Sequence, residues 1–89
     1  MSQKIHKYLL KIRGKNIIKL PIQHEILKLT THNNKIYVYA LINNEEDNYI
    51  EKEIFLCWTN EEIQLSPRNK YINNVTLTDG NVIHGFEIV

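Results

Sequence analysis

Apolar and polar residues alternate along most of this chain at the two-residue period of a β-strand. The first segment, Ile5 to Ile12, puts Tyr8, Leu10 and Ile12 on one face and Lys7 and Lys11 on the other. Leu9 breaks the alternation, but Gly14 closes the run too early for a stable helix, so a strand is predicted. Arg13-Gly14-Lys15-Asn16 reads as a turn, and Ile17 to Leu20 as a short strand stopped by Pro21, which has no N–H for a ladder. Ile26 to Thr31 and Lys35 to Ile42 flank Asn33-Asn34, two residues that tolerate positive φ, so a two-residue hairpin loop is predicted. That loop pairs His32 with Lys35, Leu29 with Val38 and Leu27 with Ala40. The apolar face is then Leu27, Leu29, Ile36, Val38 and Ala40, and the reverse face Lys28, Thr30, Tyr37 and Tyr39.

Tyr49 to Trp58 is predicted as a long strand, with Ile50, Ile54, Leu56 and Trp58 on one face and Glu51, Glu53, Phe55 and Cys57 on the other. Thr59-Asn60-Glu61-Glu62 has the spacing of a capping box and predicts one helical turn. Tyr71 to Thr78 and Asn81 to Val89 enclose Asp79-Gly80, a strong hairpin signal. A two-residue loop there pairs Leu77 with Val82, Val75 with His84, Asn73 with Phe86 and Tyr71 with Ile88. It leaves Asn74, Thr76, Ile83, Gly85 and Glu87 on the opposite face. The expected fold is mainly β: a small antiparallel barrel or sandwich of six to seven short strands, with at most one short helical turn.

At 89 residues the chain has room for a single domain over 1–89. The formal net charge of +1 lacks the basic excess that nonspecific duplex-DNA binding needs. The lone cysteine, Cys57, excludes an internal disulfide and fits a reducing cytoplasm. No stretch has the length and apolarity to span a membrane or serve as a signal peptide.

The candidate chemistry is sparse. His84 and Glu87 suggest an acid–base pair, but residues three apart on a strand face opposite ways. The two-residue loop sends His84 toward the core, so both are weak candidates and no catalytic residue is assigned. The histidines His6, His24, His32 and His84 have no metal-ligand spacing, and neither metal nor cofactor is expected. Cys57 is expected to be a buried, inert thiol. The more informative surface is Lys28, Tyr37 and Tyr39, joined by Lys7 and Lys11. Aromatic rings beside ammonium groups suit a protein partner or a stacked nucleotide, the latter in a pocket between subunits of a homo-oligomer. Cross-strand packing on a solvated face accounts for the same residues without a ligand.

The two ends of the chain resemble a family of small bacteriophage proteins of unknown function. The resemblance rests on Ile5-His6-Lys7-Tyr8-Leu9-Leu10-Lys11-Ile12, Ile18-Lys19-Leu20-Pro21, Ile26-Leu27, Tyr71-Ile72, Val75-Thr76-Leu77 and His84-Gly85-Phe86-Glu87. Members often carry Gly-Thr-Gly-His in the second half, where this chain reads Trp58-Thr59-Asn60-Glu61 and keeps only Thr59. The resemblance implies a phage setting and no reaction. The expectation is a non-enzymatic binding protein of the host cytoplasm that counters a host defence component by stoichiometric protein binding. Sequestration of a nucleotide signal is the alternative. A small hydrolase using His84 and a virion or replication accessory protein rank lower.

Overall fold

A computed structural model describes residues 2–89. Seven strands run in chain order: β1 (Gln3–Leu10), β2 (Gly14–Pro21), β3 (His24–His32), β4 (Lys35–Asn43), β5 (Tyr49–Trp58), β6 (Lys70–Thr76) and β7 (Val82–Glu87). They form two antiparallel sheets, one ordered β1-β4-β3 and the other β2-β5-β7-β6. The sheets face each other as a sandwich and do not close into a barrel. No helix long and apolar enough to cross a membrane occurs among the described residues.

The inner faces follow from alternation. Along β4, Ile36, Val38, Ala40 and Ile42 are buried, while Tyr37, Tyr39 and Leu41 point the other way. Ile18 and Leu20 of β2, Leu29 of β3, Ile54 and Leu56 of β5 and Ile83 of β7 complete the core. Tyr49–Trp58 forms over the predicted residues, with Ile54 and Leu56 inside as expected. Asn33 and Asn34 both take positive φ, 52° and 61°, and His32 pairs with Lys35 as the two-residue loop requires. Leu27 departs from the prediction. A bulge between Ile26 and Lys28 places Ile26 opposite Ala40 and leaves Leu27 exposed. Gly14 also differs, opening β2 at a φ of 87° rather than sitting inside a turn.

The last hairpin turns where expected but in a different register. Gly80 N donates to Leu77 O and Leu77 N to Asn81 O, so the loop is Thr78-Asp79-Gly80, three residues long. Gly80 alone takes the left-handed conformation, at 88°, and Asp79 instead holds the Asn81 N–H through its carboxylate. A type I turn followed by a left-handed glycine has this geometry. The extra residue slips β7 by one position, which inverts its faces. Ile83 and Gly85 lie inside, and His84 and Phe86 outside. His84 is therefore not a core-facing residue. The predicted helical turn at Thr59 is also absent. Asn60, at φ 71°, closes a turn in which Glu61 N donates to Trp58 O.

One asparagine amide joins the sheets and a second holds the connection between β1 and β2. Asn73 of β6 accepts from Leu29 N (2.7 Å) and donates to Leu29 O (3.2 Å). Asn16, buried on β2, does the same for Lys11, accepting from its N–H at 2.7 Å and donating to its carbonyl at 3.2 Å. Each amide presents one acceptor and one donor, as a peptide group does, and each meets a backbone position that no strand covers.

Asn73→Ala strands the Leu29 N–H and C=O. We expect a loss of about 2–3 kcal/mol in urea unfolding, and an unchanged midpoint would show that the clamp adds nothing. A Cβ at Gly85 would lie 2.3 Å from Leu29 Cδ1 and 3.0 Å from its Cγ. Gly85→Ala should therefore destabilise by about 1–3 kcal/mol through overpacking, read in the same assay.

Candidate functional site

The fold gathers four of the five predicted surface residues on one face. Antiparallel pairing sets Lys7 of β1 and Lys28 of β3 on either side of Tyr39 of β4, while Tyr37 lies between Leu9 and Thr30. The Lys7 ammonium sits 4.7 Å from the Tyr37 ring centroid and that of Lys28 5.9 Å from Tyr39. Both lysines are thus drawn inward over the sheet. Lys11 does not join them. It follows the end of β1, where Asn16 holds its backbone, beside an open depression lined by Leu9, Leu10, Lys15 and Ile17.

Sequence reasoning missed the apolar flank of this face. Ile5 is 62% exposed and Leu9 59%, unusual values for such residues within a strand. The signal was the broken alternation at Leu9-Leu10: in a strand, one of two adjacent leucines must face outward. The face is also broad and open. The Cα trace measures 41 × 31 × 15 Å, so the molecule is a thin slab with little interior to give to a ligand.

His84 belongs to a second cluster, on the outer face of the other sheet. Its Nε2 lies 2.8 Å from Thr59 Oγ1 and its Nδ1 2.9 Å from Tyr71 Oη. Asn74 Nδ2 donates to the same tyrosine oxygen at 3.1 Å. Either neutral tautomer of the ring can satisfy both contacts, because the Tyr71 and Thr59 hydroxyls each donate or accept. Every polar group of the ring is engaged. Cys57, opposite His84, is buried, and burial is the main cause that raises its thiol pKa, with Glu61 adding to it. Such a thiol is a poor nucleophile.

Glu87 faces the other way. Its carboxylate pairs with Lys52 at 2.5 Å beside the core, on the side of β7 opposite His84. The structure therefore keeps His84 and Glu87 apart. His24 Nδ1 is 2.8 Å from Pro21 O, and His6 packs edge-on against Tyr8. No group of three His, Cys, Asp or Glu side chains that could hold a metal occurs among the described residues.

Residues 1–89 match the family model for a domain of unknown function, DUF7352. The chain belongs to this family. No curated protein and no solved structure matches it. The DUF7352 match spans the whole chain, and the resemblance read from its ends covers nearly as much. Two residues singled out by that resemblance, Thr59 and His84, meet in a direct hydrogen bond in this DUF7352 domain.

Glu61 anchors the turn that presents Thr59. Its carboxylate accepts from Trp58 N at 3.0 Å and pairs with Arg13 at 3.1 Å, and these contacts, the backbone bond first, hold its pKa below the ordinary 4.5. A lowered folded pKa stabilises the fold above the unfolded value, and the gain is lost as pH falls through the folded one. The Tm difference between the natural protein and Glu61→Ala should therefore be full at neutral pH and vanish in strong acid. A difference independent of pH would contradict the assignment.

Proposed function

We propose that this protein is a small, non-enzymatic binding protein that engages a protein partner stoichiometrically through the outer face of the β1-β4-β3 sheet. The carrying observation is the composition of that face: Tyr37 and Tyr39 stacked with Lys7 and Lys28, flanked by the exposed Ile5 and Leu9. Tyrosines bury much area at small entropy cost, and exposed aliphatic residues beside them supply the apolar centre that an interface needs. The resemblance of the chain ends to small bacteriophage proteins extends the reading to a host-side partner in the cytoplasm, a defence component. Sequestration of a nucleotide draws less support. A base would stack on the tyrosine rings, and the lysine ammonium groups already lie over them.

The test is capture of a host protein by the purified domain, comparing the natural protein with Lys28→Glu and Lys28→Glu/Tyr39→Ala. His84→Ala, on the opposite face of the sandwich, serves as the control. We expect a one-to-one complex with the natural protein and His84→Ala, weakened at least tenfold by the Lys28 and Tyr39 changes, with circular dichroism unaltered. Equal recovery by all four proteins, or a specific partner from none, would refute the reading.

A further inference from the structure

The hydrogen-bond parity of β1 can be worked out from one bond. Asn44 N donates to Ser2 O, and the β1–β4 register continues from that pair, with Lys4 opposite Ile42, His6 opposite Ala40 and Tyr8 opposite Val38. Antiparallel ladders alternate bonded and non-bonded pairs. The even-numbered residues of β1 therefore bond to β4. Gln3, Ile5, Lys7 and Leu9 turn their N–H and C=O groups toward the free edge of the sheet. The other side of β4 agrees, because Asn43 N donates to Gln23 O of the neighbouring strand. Lys11 is the next outward position after Leu9, and there the Asn16 side chain already supplies one acceptor and one donor.

We propose that the free edge of β1 accepts an extended, acidic segment of a partner protein as an added strand, continuing the rung that Asn16 begins. This deepens the binding reading above and rests on it. Lys4 guards the N-terminal end of the edge, and the remainder is not blunted in the usual ways. The strand carries no proline or bulge over Gln3–Leu10, and its central lysine is folded back over Tyr37 rather than guarding the edge. The side chains at the outward positions, Ile5 and Leu9, are the exposed aliphatic ones. An added strand would cover them while satisfying the backbone.

Charge selects the occupant. Residues 1–24 hold six of the eleven Lys and Arg side chains and no Asp or Glu. Neither β1 nor its partner β4 contains a carboxylate. Some cations nearby are neutralised: Arg13 pairs with Glu61, and Lys15 lies 4.0 Å from Glu53. The acidic loop residues Glu45, Glu46 and Asp47 follow Asn44, which is bonded at the Ser2 end of β1. The uncompensated stretch is thus Lys7 to Lys11. A second copy pairing antiparallel about Lys7 would set Lys7 against Lys7, an unfavourable cross-strand contact. On that one face the order is Ile5, Lys7, Leu9, Lys11, so a matching strand carries apolar and acidic residues by turns at every second position, a four-residue repeat.

The probe is a capped octapeptide of the repeat Val-Thr-Glu-Thr (the Glu/Val peptide), which sets Val and Glu by turns on one face, with Val-Thr-Lys-Thr (the Lys/Val peptide) as its charge-reversed control, added to the intact protein and read by amide hydrogen exchange. The Ile5, Lys7 and Leu9 amides should exchange freely without peptide and slow at least tenfold with the Glu/Val peptide. The Lys4, His6 and Tyr8 amides should be protected throughout. The Lys/Val peptide should bind at least tenfold more weakly. Ile5→Pro removes one outward donor while sparing the β4 bonds, and should weaken binding tenfold. Should that variant misfold, a Glu/Val peptide N-methylated at alternate residues makes the same test on the natural protein. No protection, equal binding of both peptides, or protection that rises with protein concentration alone would overturn the proposal, the last by giving the edge to a second copy. A partner lost on Lys28→Glu/Tyr39→Ala but retained by Ile5→Pro would leave the face reading intact and remove strand addition.

Discussion

Everything in this sandwich depends on how two open sheets are held at their rims. Neither sheet closes on itself, so every edge strand carries backbone groups without a strand partner. At two points a side-chain amide takes the place of that partner. Asn73 binds the N–H and C=O of Leu29 in the opposite sheet, and Asn16 those of Lys11, just past the end of β1. A peptide group left unpaired away from water costs about 1–3 kcal/mol, so these amides favour one alignment at each rim. Burial holds the sheets together without direction, and the asparagines supply the direction. A third asparagine, Asn34, accepts from the Thr78 N–H and hydroxyl, tying the tips of two hairpins along the β3–β6 rim.

The two rims then differ. Along β3 and β6, Asn73 and Asn34 bridge the sheets, and both strands carry a bulge, at Leu27 and near Ile72. Along β1 and β2 the link is the Lys11–Asn16 clamp at one end, and the rest of β1 is bare. One rim is a seam and the other an opening. The tyrosine–lysine face lies over the strand that borders the opening. The same asymmetry that stabilises one side of the slab leaves backbone and aliphatic groups available on the other.

Much of the fold could be read from the residues, and the failures have a common cause. Asn33-Asn34 was legible because two consecutive residues tolerant of positive φ admit one short loop. Asp79-Gly80 was ambiguous because a single left-handed glycine serves a three-residue loop as well as a two-residue one. That one residue turned His84 outward and Gly85 inward, while the β6 residues Asn73 and Val75 kept their predicted face. The bulge at Leu27 has no local marker. Nor do the asparagine clamps, since nothing near Asn73 announces a partner 44 residues earlier. For the site, the grouping of Lys28, Tyr37 and Tyr39 followed from alternation and the Asn33-Asn34 loop, whereas Lys7 reaches them only through the β1–β4 pairing, which no local signal specifies. Their flank was hidden because Leu9 looked like an error in the pattern rather than an outward side chain.

The span of the two clamps also sets an order in time. Lys11 and Asn16 are five residues apart, close enough to meet as soon as both have been synthesised. Leu29 and Asn73 are 44 apart. A chain growing from its N-terminus therefore finishes β3 and β4 well before the residue that covers β3's outer edge has emerged. Until then the three-stranded sheet has an unshielded rim on each side. Completion of the last hairpin removes one of those rims. The mature protein keeps the other.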